Sequence, residues 1–414
     1  MVQHDIFGLT RERKINASGV RKAFTPHEPI RSQQLFFGRQ REVQSLLEQL
    51  STPGQHALLF GDRGVGKSSL ANVAADLILS VLTSQIIRKR CDSSDTFRSV
   101  VSEILHKAGI DINISQTAVA MGEGGNAELT GGIAKAGFST TTTKTVSSKG
   151  FDDRANSPSW VASKTKDIDG IFLIDEVDVL GNKEDKYKIA ELVKHLSDDG
   201  SVLKILLVGI GETAVELTAG HPSVQRCLRE TKLSRMRDGE IEAIIEGGQQ
   251  KVGLQFSQKA VSKIVAVSSG YPHFAHLLAL KAAEDAVAEE RTYIHYSHIL
   301  KATNSAVGDA EGTLKNAYLE AIRSSSDEYK KILVAAALCS DDEITASKLR
   351  AQYTIIWNGE ISQNSLNNYF QRLVSDDESR ILRRLAKGVY RFTDPRMPSF
   401  VRIANLQETD ATDT

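Results

Sequence analysis

The sequence predicts an α/β fold, a parallel sheet covered by helices, followed by a helical lid and a smaller C-terminal domain. Three observations carry this. HALLF (56–60), IFLID (171–175) and KILLVGI (204–210) are short apolar runs with the length of strands buried on both faces. Amphipathic helical spacing lies between them. A glycine-rich turn, GDRGVGKS (61–68), joins the first strand to the helix after it.

The elements follow in chain order. Residues 1–34 read as a polar, basic N-terminal extension, because Arg11, Arg13, Lys14, Arg21, Lys22 and Arg31 outweigh the acids there. A solvated tail is expected, with a patch for a phosphate backbone or an acidic partner as the alternative. From Leu35 the pattern tightens: Val43, Leu46, Leu47 and Leu50 fall at i, i+3, i+4, i+7, the stripe of an amphipathic helix. Leu70, Val73, Ala74, Leu77, Ile78 and Val81 keep the same spacing after the glycine turn, and Ile189, Leu192, Val193 and Leu196 do so between the second and third strands. Strands alternating with helices give the α/β nucleotide-binding domain over 35–235. Within it, 115–160 is rich in Gly, Ala, Ser and Thr and reads as a mobile insertion or an exposed hairpin. After about residue 236 the strands stop, and 238–252, 257–269 and 272–290 read as helices of a lid that spans 236–310. From 320 to 405 three helical stretches (327–338, 345–356, 363–374) precede ILRRLAKGVYRFTD, two strands about a Lys387-Gly388 turn, which is the plan of a winged helix. Residues 406–414 form an acidic tail. Tyr369 and Phe370 share the spacing of Leu366 and Leu373, which marks them as core of the third helix and not a base-stacking platform.

Composition excludes several classes. Of 414 residues, 41% are apolar and 25% charged, and the formal net charge is −1, so any contact with nucleic acid must come from a local basic patch. Cys91, Cys227 and Cys339 are far apart and lack metal spacing, which reads as reduced thiols. His295, His298 and the other histidines lack ligand spacing with acids or cysteines. The opening MVQHDIFGLTRERK has no apolar core of signal-peptide length, and no run of about 18 apolar residues occurs, so a cytoplasmic protein without membrane contact is expected.

GDRGVGKS fits G-x-x-x-x-G-K-[ST] through Gly61, Gly66, Lys67 and Ser68. Holding phosphate oxygens requires successive backbone N–H groups turned into one concavity, where side chains would collide with the ligand. Gly61, Gly64 and Gly66 remove them, Asp62, Arg63, Val65 and Ser69 complete the loop, and the helix beginning at Lys67 adds its positive dipole end. Lys67 would reach the β- and γ-phosphates and Ser68 would offer a hydroxyl to Mg²⁺. IFLIDE (171–176) ends an apolar strand in two acids at the carboxyl edge of the sheet. Asp175 would hold Mg²⁺ and Glu176 would polarise the attacking water. The expected cofactors are ATP and Mg²⁺, on a P-loop NTPase sheet.

With these motifs in place the chain resembles the AAA+ ATPases, and within them the origin-recognition and STAND-like branch of bacterial type. FFGRQREV (36–43) is similar to the family's F-x-G-R-x-x-E segment, which implies that Arg39 lies in the nucleotide site. GDRGVGKS and IFLIDE match its Walker A and Walker B motifs. GYPHFAHLL (270–278) resembles the glycine-x-proline motif of STAND proteins and implies Pro272 as a nucleotide contact. The winged helix ending in YRFTDPRMPSFVR is typical of both groups. There are two departures. The family's strand equivalent to KILLVGIGET ends in a polar sensor, where this chain has Gly209 and Gly211 with Glu212 and Thr213 beyond. Origin-type relatives also carry a lid arginine where this chain has Pro272, His273 or His276. The resemblance further implies an arginine finger supplied by a neighbouring subunit. Arg226 in HPSVQRCLRE (221–230) occupies that position, with Arg229 in reserve, and a surface ion pair is its alternative.

Three functions stay open: an ATPase that hydrolyses slowly, oligomerises and switches a protein partner; an ATPase that loads onto DNA through Arg380, Arg383, Arg384, Lys387 and Arg391 on the hairpin; and an ATP-binding scaffold that scarcely hydrolyses. SLNNYFQRL (365–373), with one basic residue, argues against strong DNA affinity.

Overall fold

The structure is a computed structural model that describes residues 8–80, 85–111, 113–118, 146–151, 153–323, 326–339, 343–374 and 381–406. Its centre is a five-stranded sheet of β1 (His56–Gly61), β2 (Ile86–Arg90), β3 (Ile171–Asp175), β4 (Lys204–Ile210) and β5 (Leu228–Lys232). The strands are all parallel, in the order β2-β3-β4-β1-β5. Parallel strands need helical crossovers that cover both faces, and the inner strands are accordingly apolar throughout: Leu58, Leu59, Phe172, Ile174, Ile205 and Leu207 are buried. Helices Gln40–Ser51 and Lys67–Leu79 pack on one face; Phe97–Lys107 and Lys183–Asp198 pack on the other.

At the base of the sheet His56 is buried, and its Nδ1 accepts a hydrogen bond from the Ile205 amide at 2.9 Å. Burial, with Lys204 beside it, pushes its pKa down to about 3.

Asn113–Ala118 and Val146–Phe151 pair antiparallel as the arms of a hairpin. Residues 119–145 of the Gly- and Ser/Thr-rich segment lie outside the described residues. Its far end, drawn at 160 from the composition, differs: Pro158–Thr165 is a helix whose Val161 and Ala162 are buried in the sheet's second core.

Helices Asp238–Val252, Gln258–Ser268 and Pro272–Ala288 follow the sheet, with Tyr296–Asp309 after them. Two-residue strands at Gln255–Phe256 and Tyr293–Ile294 pair within this group, a detail that the helical reading of the segment omits. Helices Glu328–Ala337, Ala346–Trp357 and Gln363–Val374 then precede the hairpin Leu382–Ala386/Val389–Phe392. Ile344–Thr345 adds a third short strand to that hairpin. Leu366, Phe370 and Leu373 are buried as their spacing requires.

From residue 8 onward the N-terminal segment is not a solvated tail, and residues 1–7 lie outside the described residues. Leu9–Ser18 and Val20–Ala23 are helices, and Ile15, Val20 and Phe24 are fully buried. Arg11, Lys14 and Arg21 reach Asp285, Glu290 and Glu284 on and just after helix Pro272–Ala288, at 2.8, 2.5 and 2.6 Å. Three of the six basic residues that suggested a tail are paired with acids of the same chain, and three apolar side chains anchor the segment.

Candidate functional site

The phosphate-loop residues form a turn between the end of β1 and helix Lys67–Leu79. Only glycine fits at two of its positions. Gly61 has φ +148°, and a Cβ there would stand 2.3 Å from the Leu233 carbonyl oxygen; Gly64 has φ +83°, and a Cβ would stand 2.7 Å from Cδ of Arg396. Gly66 is left-handed at the helix N-cap, and no side chain caps the first turn, so its N–H groups are left to a ligand. Lys67 is 8% exposed and donates through Nζ to the carbonyls of Gly61 (3.1 Å) and Asp62 (2.7 Å). Burial pushes its pKa down to about 8, against the pull of Asp178 and Asp175. Ser69 accepts the Ile30 amide at 3.0 Å, which ties the loop to the N-terminal strap 25–30.

The two acids stand at the end of β3. Asp175 is largely buried, which raises its pKa, while a hydrogen bond from the Ser68 hydroxyl acts in the other direction. Its Oδ1 also accepts the Glu176 amide at 2.9 Å. Glu176 has φ +59°, a strained value for a non-glycine residue, and this turns its side chain toward β2. There Arg90 donates to both carboxylate oxygens, from Nη2 at 2.6 Å and from Nε at 2.9 Å. Gly209 at the end of β4 has a physical reason: a Cβ would stand 2.9 Å from Leu217 and 3.2 Å from the Asp178 carboxylate. Asp178 fills that place and accepts the Ile210 amide at 2.7 Å.

These groups surround a cavity of about 640 Å³. Arg63, Gly64, Val65, Gly66, Lys67, Ser68 and Ser69 line one end together with Asp175, Glu176, Asp178 and Arg90. Phe36, Phe37, Met236 and Ile244 form apolar walls, and the strap Thr25–Ile30 and lid residues Pro272, His273 and His276 close it. Arg39 also lines it. Arg39 is 4% exposed, binds Glu42 and the Ser234 carbonyl, and has no hydrogen-bond partner for its Nε among the described residues. Arg396, from the segment after the hairpin, enters the same cavity, paired with Asp394 at 2.7 Å and Glu311 at 2.5 Å. Glu311 also binds Arg63 at 2.7 Å.

Three expected residues lie elsewhere. Gly61 serves the turn and not the lining. Asp62 faces a neighbouring cavity of about 420 Å³ with Glu212, Lys232, Arg235 and Arg391. Arg226 lies before β5, 68% exposed and paired with Asp198, away from the cavity of its own chain; Arg229 lies within β5, exposed. Sequence reading missed Arg90, Asp178, Arg396 and the strap, because none sits inside a spaced motif and only the fold assembles them.

The donor set fits a nucleoside triphosphate with Mg²⁺. A buried cation, side-chain-free backbone and open helix N–H groups suit phosphates. Among the described residues no group of three His, Cys, Asp or Glu side chains could hold a metal by itself. Ser68 and Asp175 would supply two oxygens, and Mg²⁺ characteristically takes its others from phosphates and water.

Among solved structures, the chain is similar to a Walker-type ATPase of Pyrococcus abyssi, at 18% identity and a TM-score of 0.50, covering 92% of this chain and 99% of that one. It is also similar to the Aeropyrum pernix ORC2 protein, solved as ADPNP–ADP complexes, at 15% identity and a TM-score of 0.51, covering 95% and 99%. At these identities the likeness shows the fold. No protein with a curated description matches the chain. The family described as Novel STAND NTPase 1 matches residues 22–351, most of the chain and all of the site except Arg396. The chain therefore belongs to that family of P-loop NTPases.

Proposed function

We propose that this protein is a nucleotide-controlled switch of the AAA+/STAND kind: it binds Mg-ATP, hydrolyses it slowly, and passes its state to a protein partner. The observation that carries this reading is that one cavity is lined by four separate parts of the chain: the strap 25–30, the sheet edge, the lid helix and Arg396. A ligand there touches every part at once, so its presence and charge bias how they sit together.

Lys67 and the loop N–H groups hold the phosphates. Ser68 and Asp175 hold Mg²⁺, which when bound neutralises phosphate charge. Glu176 orients the attacking water once it leaves Arg90. Arg39 and Pro272 flank the nucleotide. Slow turnover is supported by Gly209 in place of a polar sensor and by the engagement of Glu176 with Arg90. Arg226, exposed and off the cavity, is assigned to a neighbouring subunit's site in a homo-oligomer.

The DNA-loading alternative, through a winged helix over 320–405, is less well supported. Glu212 holds Arg383 at 2.7 Å and Arg391 at 3.4 Å, which occupies two of the hairpin arginines within the chain; Arg384 and Lys387 stay exposed, and Arg380 lies outside the described residues. Among the described residues no helix is long and apolar enough to cross a membrane, and action in the cytoplasm is part of the proposal.

The test combines nucleotide binding, mass with and without ATP, and a salt titration of duplex DNA binding. The switch reading expects ATP-dependent assembly that Lys67→Ala abolishes, together with a shallow salt dependence. A log–log slope steeper than about −4, the mark of several phosphate contacts, would favour the DNA reading. ATP binding with neither assembly nor turnover would leave the scaffold.

A further inference from the structure

A second, smaller space lies between the lid and the C-terminal segments. It is a cavity of about 40 Å³, walled by Arg235 and Tyr271 on the lid side, Ala337 and Cys339 at the end of helix Glu328–Ala337, Arg391 of the hairpin, and Arg402 of the helix Met397–Ala404 that follows it. The three arginines are half-buried, and among the described residues no Asp or Glu lines the space with them. Arg235 and Arg391 also border the larger cavity that holds Asp62 and Glu212, where Arg391 meets Glu212 at 3.4 Å.

Arg402 has no such acid. Its Nε donates to the Ala337 carbonyl at 2.7 Å and its Nη1 to the Ser269 hydroxyl at 2.5 Å, both neutral acceptors, and no ion pair reaches it among the described residues. Burial, and after it the charge of Arg235, lowers the Arg402 pKa, so the two guanidinium groups stand close enough to repel. Charges taken out of water are ordinarily paired. Arg402 lies in the last turn of its helix and Ala337 ends another, and helix carboxyl ends carry a partial negative charge. Those ends offset part of one cation. They leave Arg235 and Arg391 bordering the same space, which has room for roughly three water-sized positions.

We propose that this cavity is a site for one small inorganic oxyanion of the phosphate or sulfate class, held by Arg402 together with Arg235 and Arg391. A guanidinium fork matches two oxygens of such an ion with two N–H groups, a fit that a spherical halide does not use. The bound ion supplies the negative charge that Arg402 lacks and ties the start of the lid to the hairpin and the last helix. The site is distinct from the phosphate loop, because none of these three arginines lines the larger nucleotide cavity. It stands whether or not that cavity binds a nucleotide.

The test is thermal unfolding of the full chain in phosphate, sulfate or chloride at equal ionic strength, on Lys67→Ala protein so that the phosphate loop contributes little. Phosphate or sulfate at about 10 mM is expected to raise the midpoint by about 2 °C over chloride, and the rise should follow the logarithm of concentration, the form that binding to the folded state gives. Arg402→Met, which keeps the apolar stem without the charge, should lose this response and unfold no earlier than its parent in chloride. A response that chloride matches, or that Arg402→Met retains, overturns the proposal. Calorimetry with sulfate reads the site without that variant: one ion per chain should bind, and Arg402→Lys, which keeps the charge and loses the fork, should bind it about fivefold more weakly. Absence of sulfate binding to the folded Lys67→Ala protein overturns the proposal directly.

Discussion

Arg90→Ala is the most informative single change, because it asks whether Glu176 is held back. The Arg90 guanidinium takes both oxygens of the carboxylate, at 2.6 and 2.9 Å. The pair is open to solvent, with side-chain exposures of 75% for Arg90 and 35% for Glu176. Solvent screening therefore limits its strength, and a two-point pair of this kind contributes about 0.5–1 kcal/mol. Released from that hold, two to five times more of the carboxylate would be free to orient water, since about 1 kcal/mol is roughly a factor of five. Single-turnover phosphate release should accordingly rise about two- to fivefold, with ATP affinity changed by less than about twofold. Arg90→Lys, which keeps the charge but not the fork, should fall between. In a Glu176→Gln background the gain should vanish. A slower reaction with weakened ATP binding would refute this reasoning and make Arg90 a phosphate ligand.

Three further outcomes are expected. If Arg226 serves a neighbour's site, Arg226→Ala binds ATP normally but loses hydrolysis, and mixing it with Lys67→Ala restores part of the activity; a mixture no more active than its components removes the shared site. Burial holds the Lys67 ammonium near a pKa of about 8; bound phosphates favour its charged form, so ATP affinity should fall about fivefold between pH 8 and 9 with uptake of a proton, and calorimetry in buffers of different ionisation enthalpy that finds no such proton contradicts the assignment. The folded pKa of His56, about 3, lies below its unfolded value of 6.5, so its contribution to stability is present above pH 6.5 and is lost as pH falls toward the folded value; His56→Asn, whose Oδ1 can replace Nδ1 as acceptor for Ile205, should flatten the urea-measured stability slope between pH 6 and 4 by about 1.4 kcal/mol per pH unit.

The central strands and the phosphate loop were legible because burial on two faces and contact with phosphate leave few residue types that work. The outer strands were not. β2 (IIRKR) and β5 (LRETK) are the edges of the sheet, half solvated, and carry too few apolar residues to stand out from loops. The same logic explains the N-terminus: Ile15, Val20 and Phe24 are spread over two short helices, so their shared burial has no simple period. Arg90, Asp178, His276 and Arg396 come from four distant segments, and only the folded chain puts them around one space. Gly209 is visible in the sequence, but the Asp178 carboxylate packed beside it is a matter of folding that spacing does not encode.

The docking of the first helices on the lid has a consequence for synthesis. Arg11 finds Asp285 across 274 residues of chain. At roughly 5–20 residues per second, the N-terminal helices leave the ribosome about 15 to 55 seconds before their partner helix exists. For that interval Arg11, Lys14 and Arg21 lack the acids that they bind, while Phe24 can already meet Gly248 and Phe256. The sheet and phosphate loop can fold earlier from their own residues. The enclosure therefore waits for residues 272–276, and a nascent chain stalled before residue 272 carries a phosphate loop that lacks its cover.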